Sequence, residues 1–182
     1  MNSRMLVALT LAAVAAAACR TEPPPEPKPK FTLPQLSARF PADLGAETVD
    51  VAAYPPKVRD GYAVFTEVCS QCHSPARALW APETTREDWM LHIRRMHDKT
   101  LVNSWWTRFG IDDANRILDF LTYDSKVRKV ERREEFARET ARLAALLDDV
   151  KAERTRLQLE EGRRAARQAP DYMGDKPGGG TR

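Results

Sequence analysis

Cys69-Ser70-Gln71-Cys72-His73 decides how the rest of this chain is read. C-x-x-C-H is the attachment signature of c-type haem. Two thiols at this spacing can reach the two vinyl groups on one edge of a porphyrin and form thioethers. The residue that follows places an imidazole over the iron as the proximal ligand. Cys69 and Cys72 are therefore the candidate thioether donors, His73 the candidate proximal ligand, and one covalent haem c the expected cofactor. Two other chemistries share the spacing. A structural zinc site wants a second Cys/His pair at ligand spacing, and the chain, with three cysteines and three histidines in 182 residues, has none. A thioredoxin-like dithiol belongs in a βαβ context, and no convincing strand run occurs in the sequence.

The third cysteine, Cys19, ends a stretch built like a secretory signal. Arg4 supplies the charged start, and Met5 to Ala18 is an apolar run too short to span a bilayer. Ala16-Ala17-Ala18-Cys19 resembles a bacterial lipobox, which makes Cys19 a candidate for acylation. Ordinary A-x-A cleavage would instead leave an unused thiol, a liability in an oxidising compartment. With lipidation, every cysteine is covalently committed, and no disulfide is expected. Export agrees with the haem motif, because bacteria attach haem c outside the cytoplasm. The expected location is the periplasmic side of a bacterial membrane, held there by a lipid anchor.

Residues 20–57 form a proline-rich tether and a loop-rich lead-in. Pro23, Pro24, Pro25, Pro27, Pro29 and Pro34 disfavour helix and sheet up to about residue 34, and polyproline II is expected there. The folded unit is expected over 58–125, and it is all-α. Gly61, Phe65 and Cys69 recur at four-residue steps, predicting a helix that delivers the haem motif, with Gly61 admitting a second helix closely. Thr84 with Glu87, or Thr85 with Asp88, forms a capping box that opens a helix to about Met96 or His97. A third helix spans about Asp112 to Tyr123 on an apolar face of Ile117, Leu118 and Leu121. A core this small is marginal by itself, and a buried porphyrin would supply much of what is missing.

Gly61-x-x-x-Phe65-x-x-x-Cys69-x-x-Cys72-His73, followed by a helix ending Phe120-Leu121-Thr122-Tyr123, resembles a class I-type monohaem cytochrome c. Tyr54 to Lys129 is similar, more narrowly, to small exported single-haem cytochromes. The shared features are a Cys-x-x-Cys-His-Ser start, the Trp89-x-x-x-x-x-Arg95-Met96 helix and a Tyr123-Asp124-Ser125-Lys126 ending. The resemblance implies a small helical domain around one haem, acting as an electron carrier and not as an enzyme. The chain departs from typical class I proteins in how soon its methionine follows the haem motif.

The candidates for sixth ligand after His73 are Met90, His92, Met96, His97 and Met173. Trp89, His92, Ile93 and Met96 form a helical stripe with one polar member, whereas Met90, Ile93, Arg94 and His97 form one with two. Met96 also matches the Arg-Met position of the resembling cytochromes. It is favoured, with His92 the runner-up and Met90 third; plain core packing is the alternative for Met96. Arg77, Arg94 and Arg95 are either propionate partners or solvated, and the four tryptophans are expected to pack the haem and its loops.

Residues 126–170 are dense in Arg and Glu and rich in helix formers, and 171–182 read as a disordered tail. Phe136, Thr140, Leu143, Leu147, Val150, Arg154 and Leu157 follow a 4-3 spacing. That stripe reads either as a coiled coil or docking helix, with self-association or a membrane respiratory complex as partner, or as a solvated helix laced with ion pairs. On either reading the haem is covered by helices before Lys126, and truncation near Glu131 leaves its site intact. A net charge of +3 is too small to imply nucleic acid. The expected function is single-electron transfer between redox partners. The alternatives are a haem subunit docked through the long helix, and a peroxidase-like enzyme with an open sixth site.

Overall fold

The computed structural model describes residues 28–168. The expected signal and lipobox with Cys19, like Met173 and the glycine-rich end, lie outside the described residues. All regular structure among the described residues is helical. The elements are α1 (Leu33–Ser37), a 3-10 turn (Pro41–Leu44), α2 (Pro56–Cys69), α3 (Ala76–Leu79), α4 (Arg86–Val102), α5 (Ile111–Asp124), a π-helical turn (Ser125–Glu131) and α6 (Arg133–Gln168). No described helix is long and apolar enough to cross a membrane.

Local chemistry explains the starts. α2 opens on Pro56, whose missing N–H costs nothing in a first turn. α4 uses Thr85 and Asp88 of the two capping boxes on offer: Thr85 Oγ1 accepts from the Asp88 amide at 3.2 Å, and Asp88 Oδ2 accepts back from the Thr85 amide at 3.3 Å. The helix runs past His97 to Val102. α1 corrects one expectation, because Pro34 sits inside a helix. It occupies the first turn, where proline is tolerated, behind a Thr32–Gln35 capping box.

The centre of the core is α2 packed on α5. Phe65 and Phe120 are fully buried with ring centroids 5.0 Å apart, and Ile117, Leu121 and Leu79 close around them. Gly61 makes this crossing possible. A Cβ there would collide with the Arg116 carbonyl oxygen of α5, a backbone atom that cannot turn aside. Gly61→Ala is therefore expected to destabilise by about 1–2 kcal/mol, the overpacking cost outweighing alanine's better helix propensity. Thermal unfolding measures this; an unchanged or raised midpoint would show that the helices can part without loss.

The chain does not break near Lys126. α5 continues through the π-helical turn into α6, with a single bend at Arg132. The π turn aims its side chains at the segment joining α3 to α4. Arg128 Nη2 donates to the Leu79 carbonyl at 2.8 Å, Lys129 Nζ to those of Ala81 and Glu83 at 2.8 and 3.1 Å, and Ser125 Oγ to that of Glu83 at 3.2 Å. Arg128 also grips the buried Asp124 carboxylate through two hydrogen bonds of 2.7 and 2.6 Å, and Tyr54 from the lead-in donates to it at 3.0 Å.

α6 is not an unpartnered helix. Its 4-3 stripe is covered by the chain's own lead-in. Phe136 stacks on Trp80 at 5.7 Å, Leu143, Leu147 and Val150 are buried, and Arg154 donates to the carbonyls of Leu36 and Ala38 at 2.8 and 2.7 Å. The Lys30 amide donates to Glu153 Oε1 at 3.0 Å. The stripe that would have served a coiled coil is spent inside the molecule, and residues 30–44 wrap it.

Lys129 is buried, with Trp89 beneath its ammonium at 4.7 Å. Burial pushes its pKa down to about 7, against the pull of the Asp124 charge. Between about 7 and its ordinary 10.5, the unfolded chain therefore holds this proton and the folded chain does not. The contribution of Lys129 to stability should rise with pH across that window. Unfolding midpoints measured against pH for wild type and Lys129→Met should converge or cross in this interval; parallel curves would mean that Lys129 stays charged when folded.

Candidate functional site

The end of α2 sets up the chemistry. Phe65 anchors the helix in the core, and one turn later Cys69 reaches the wall of a cavity of about 700 Å³. That volume lies within the ~300–1,000 Å³ usual for a cofactor site. The turn after α2 brings His73 to the same cavity. Trp89, His92, Ile93 and Met96 all reach it from α4, so the stripe read from the sequence is the face that the fold uses. Trp80, Leu121, Phe136 and Leu143 add apolar wall; Arg77, Arg95 and Lys99 add positive charge.

His73 keeps one ring nitrogen free. Its Nδ1 lies 3.0 Å from the Ser74 carbonyl oxygen, an acceptor, so Nδ1 carries the proton and Nε2 keeps its lone pair. Burial lowers its pKa and favours that neutral form. His92 differs at the same atom. Its Nε2 lies 2.8 Å from Glu83 Oε1, a carboxylate that can only accept, so the proton sits on Nε2.

The two thiols differ as well. Cys69 faces the cavity, and burial, aided by the neighbouring Cys72, pushes its pKa up to about 12. Cys72 is exposed, is also raised by desolvation, and does not line the cavity. Catalytic dithiols depend on a lowered thiolate pKa, and neither cysteine has one. Among the described residues no group of three or more His, Cys, Asp or Glu side chains converges as a metal cage.

The remaining candidates separate cleanly. Met90 is 39% exposed and points away from the cavity; His97 packs edge-on against Phe109 at 5.5 Å, outside the cavity wall. Arg77 lines the cavity but is held by Asp43, with Nε–Oδ1 and Nη2–Oδ2 distances of 2.6 and 3.0 Å. Arg95 lines it and Arg94 does not. Of the tryptophans, Trp80 and Trp89 form wall, whereas Trp105 is 88% exposed and corrects the expectation that all four pack there.

Sequence reasoning missed three parts of this cavity: Phe40, Pro41 and Ala42 from the lead-in, Phe136, Thr140 and Leu143 from α6, and Glu83. The α6 residues had a signal in their 4-3 spacing, but that spacing suits a coiled coil, a docking helix or a solvated helix equally. Glu83 had none, being one carboxylate among many charges.

The residues present fit a haem c. The set contains a thiol, a neutral imidazole with a free lone pair, a thioether, flat apolar walls, and cations suited to two propionates. On the cavity wall, Glu83 Oε2 is buried and without a hydrogen-bond partner. Set beside known proteins, the chain matches no family model, no curated protein and no solved structure.

Proposed function

We propose that this chain is an exported, lipid-anchored, single-haem c-type cytochrome that passes electrons one at a time between redox partners on the periplasmic side of a bacterial membrane. The observation that carries the reading is the meeting of Cys69, His73 and Met96 on one cavity of cofactor size. Cys69 and Cys72 would hold the porphyrin edge as thioethers, His73 would be the proximal ligand through Nε2, and Met96 the sixth ligand. Bound there, haem c supplies the one-electron chemistry that no side chain of the site possesses. The protein contributes apolar wall that excludes water, fixed ligand orientation, and the Arg95 and Lys99 charges at the cavity.

A docked subunit held by its long helix has less support than a free carrier, because the apolar stripe of α6 is already covered. Export and lipidation rest on residues 1–19 alone.

Visible spectra of the purified protein, oxidised and reduced, test the reading: a low-spin ferric spectrum fits a carrier, and a high-spin one an enzyme with an open sixth site. Met96→Ala should abolish the iron–thioether charge-transfer band and lower the reduction potential. If both persist in Met96→Ala but not in His92→Ala, the ligand is His92.

A further inference from the structure

We propose that Glu83 is a positioning residue that keeps His92 off the iron and thereby leaves the sixth position to Met96; the inference rests on the haem reading given above. His92 and Met96 lie four residues apart on α4, one above the other on the same helical face, and both line the cavity. Imidazole is a good ligand for iron, and a soft thioether gains no advantage over it with a ferric ion. A histidine beside the methionine is therefore a competitor that must be restrained.

The restraint is visible. Glu83 Oε1 accepts from His92 Nε2 at 2.8 Å, so the nitrogen farthest from the backbone has no lone pair to offer. Glu83 Oε2 is shut from solvent and has no other partner. If His92 let go, both oxygens of a cavity-wall carboxylate would be unpaired, which opposes release. The backbone that carries this carboxylate is also fixed in place. The Glu83 carbonyl accepts from Lys129 Nζ at 3.1 Å and from Ser125 Oγ at 3.2 Å, and Ser125 Oγ accepts in turn from Trp89 Nε1 at 3.0 Å. Trp89 lies one turn before His92 on α4, so the π turn holds the Glu83 backbone and the helix that carries His92 as one frame. The two histidines of the cavity thus differ at Nε2, open in His73 and closed by Glu83 in His92.

The experiment compares ferric spectra and reduction potentials of the haem-loaded wild type, Glu83→Ala and Glu83→Ala/His92→Phe. Wild type should show the thioether band. Glu83→Ala should lose it and fall in potential, as His92 Nε2 becomes free to displace Met96. The double variant should regain the band, which separates ligand exchange from a damaged fold. A band retained in Glu83→Ala, or lost in the double variant too, would overturn the role given to Glu83 while leaving the haem reading standing. A wild type without covalent haem, or with haem and no thioether band, would overturn the premise itself.

Discussion

A chain ending at residue 132 is expected to lose both its cooperative fold and its cofactor site. The reason is the area that α6 buries. Leu143, Leu147 and Val150 are each at or below 4% exposure, and they are covered by residues 30–44 of the same chain. Burying one such side chain is worth about 1.5–3 kcal/mol, so the three together approach the ~5–15 kcal/mol that holds a typical domain. Phe136, Thr140 and Leu143 also form cavity wall, so the loss opens the site directly to water. Circular dichroism during urea unfolding should show a sharp transition for the full chain and a broad or absent one for the truncated chain. Equal midpoints, with haem retained, would return α6 to the role of an accessory helix.

Replacing Cys69 and Cys72 together with serine should convert a coloured protein into one whose colour is extracted by acid–acetone. In the wild type both thioethers would survive that treatment, since a carbon–sulfur bond does not depend on the fold. The two single variants should differ. Cys69 faces the cavity and Cys72 is exposed at the turn, so Cys69→Ser should deplete bound haem more severely. Cys72→Ser should keep one covalent link and a shifted absorption band from the unreacted vinyl. Complete extraction of colour from the wild type would overturn the assignment of both cysteines.

The sequence alone determined the local features: the haem-type motif at 69–73, the helix stripe Trp89–His92–Ile93–Met96, a capping box at 84–88, and an inward glycine at 61. Each depends on neighbours within about two helical turns, where spacing dictates which side chains share a face. The all-helical class followed from the same periodicity, and the described residues bear it out. Only the tertiary structure decided what those faces meet. The 4-3 stripe from Phe136 to Leu157 is equally suited to a second helix, another protein or the chain's own lead-in, because apolar burial has no direction. What selects the lead-in is a set of contacts more than 110 residues apart, Arg154 with Leu36 and Ala38, and Lys30 with Glu153. The two cavity histidines divide the same way. For His73 the acceptor is its own chain neighbour, the Ser74 carbonyl, whereas for His92 it is Glu83, nine residues back, so only folding decides that His92 Nε2 carries a proton.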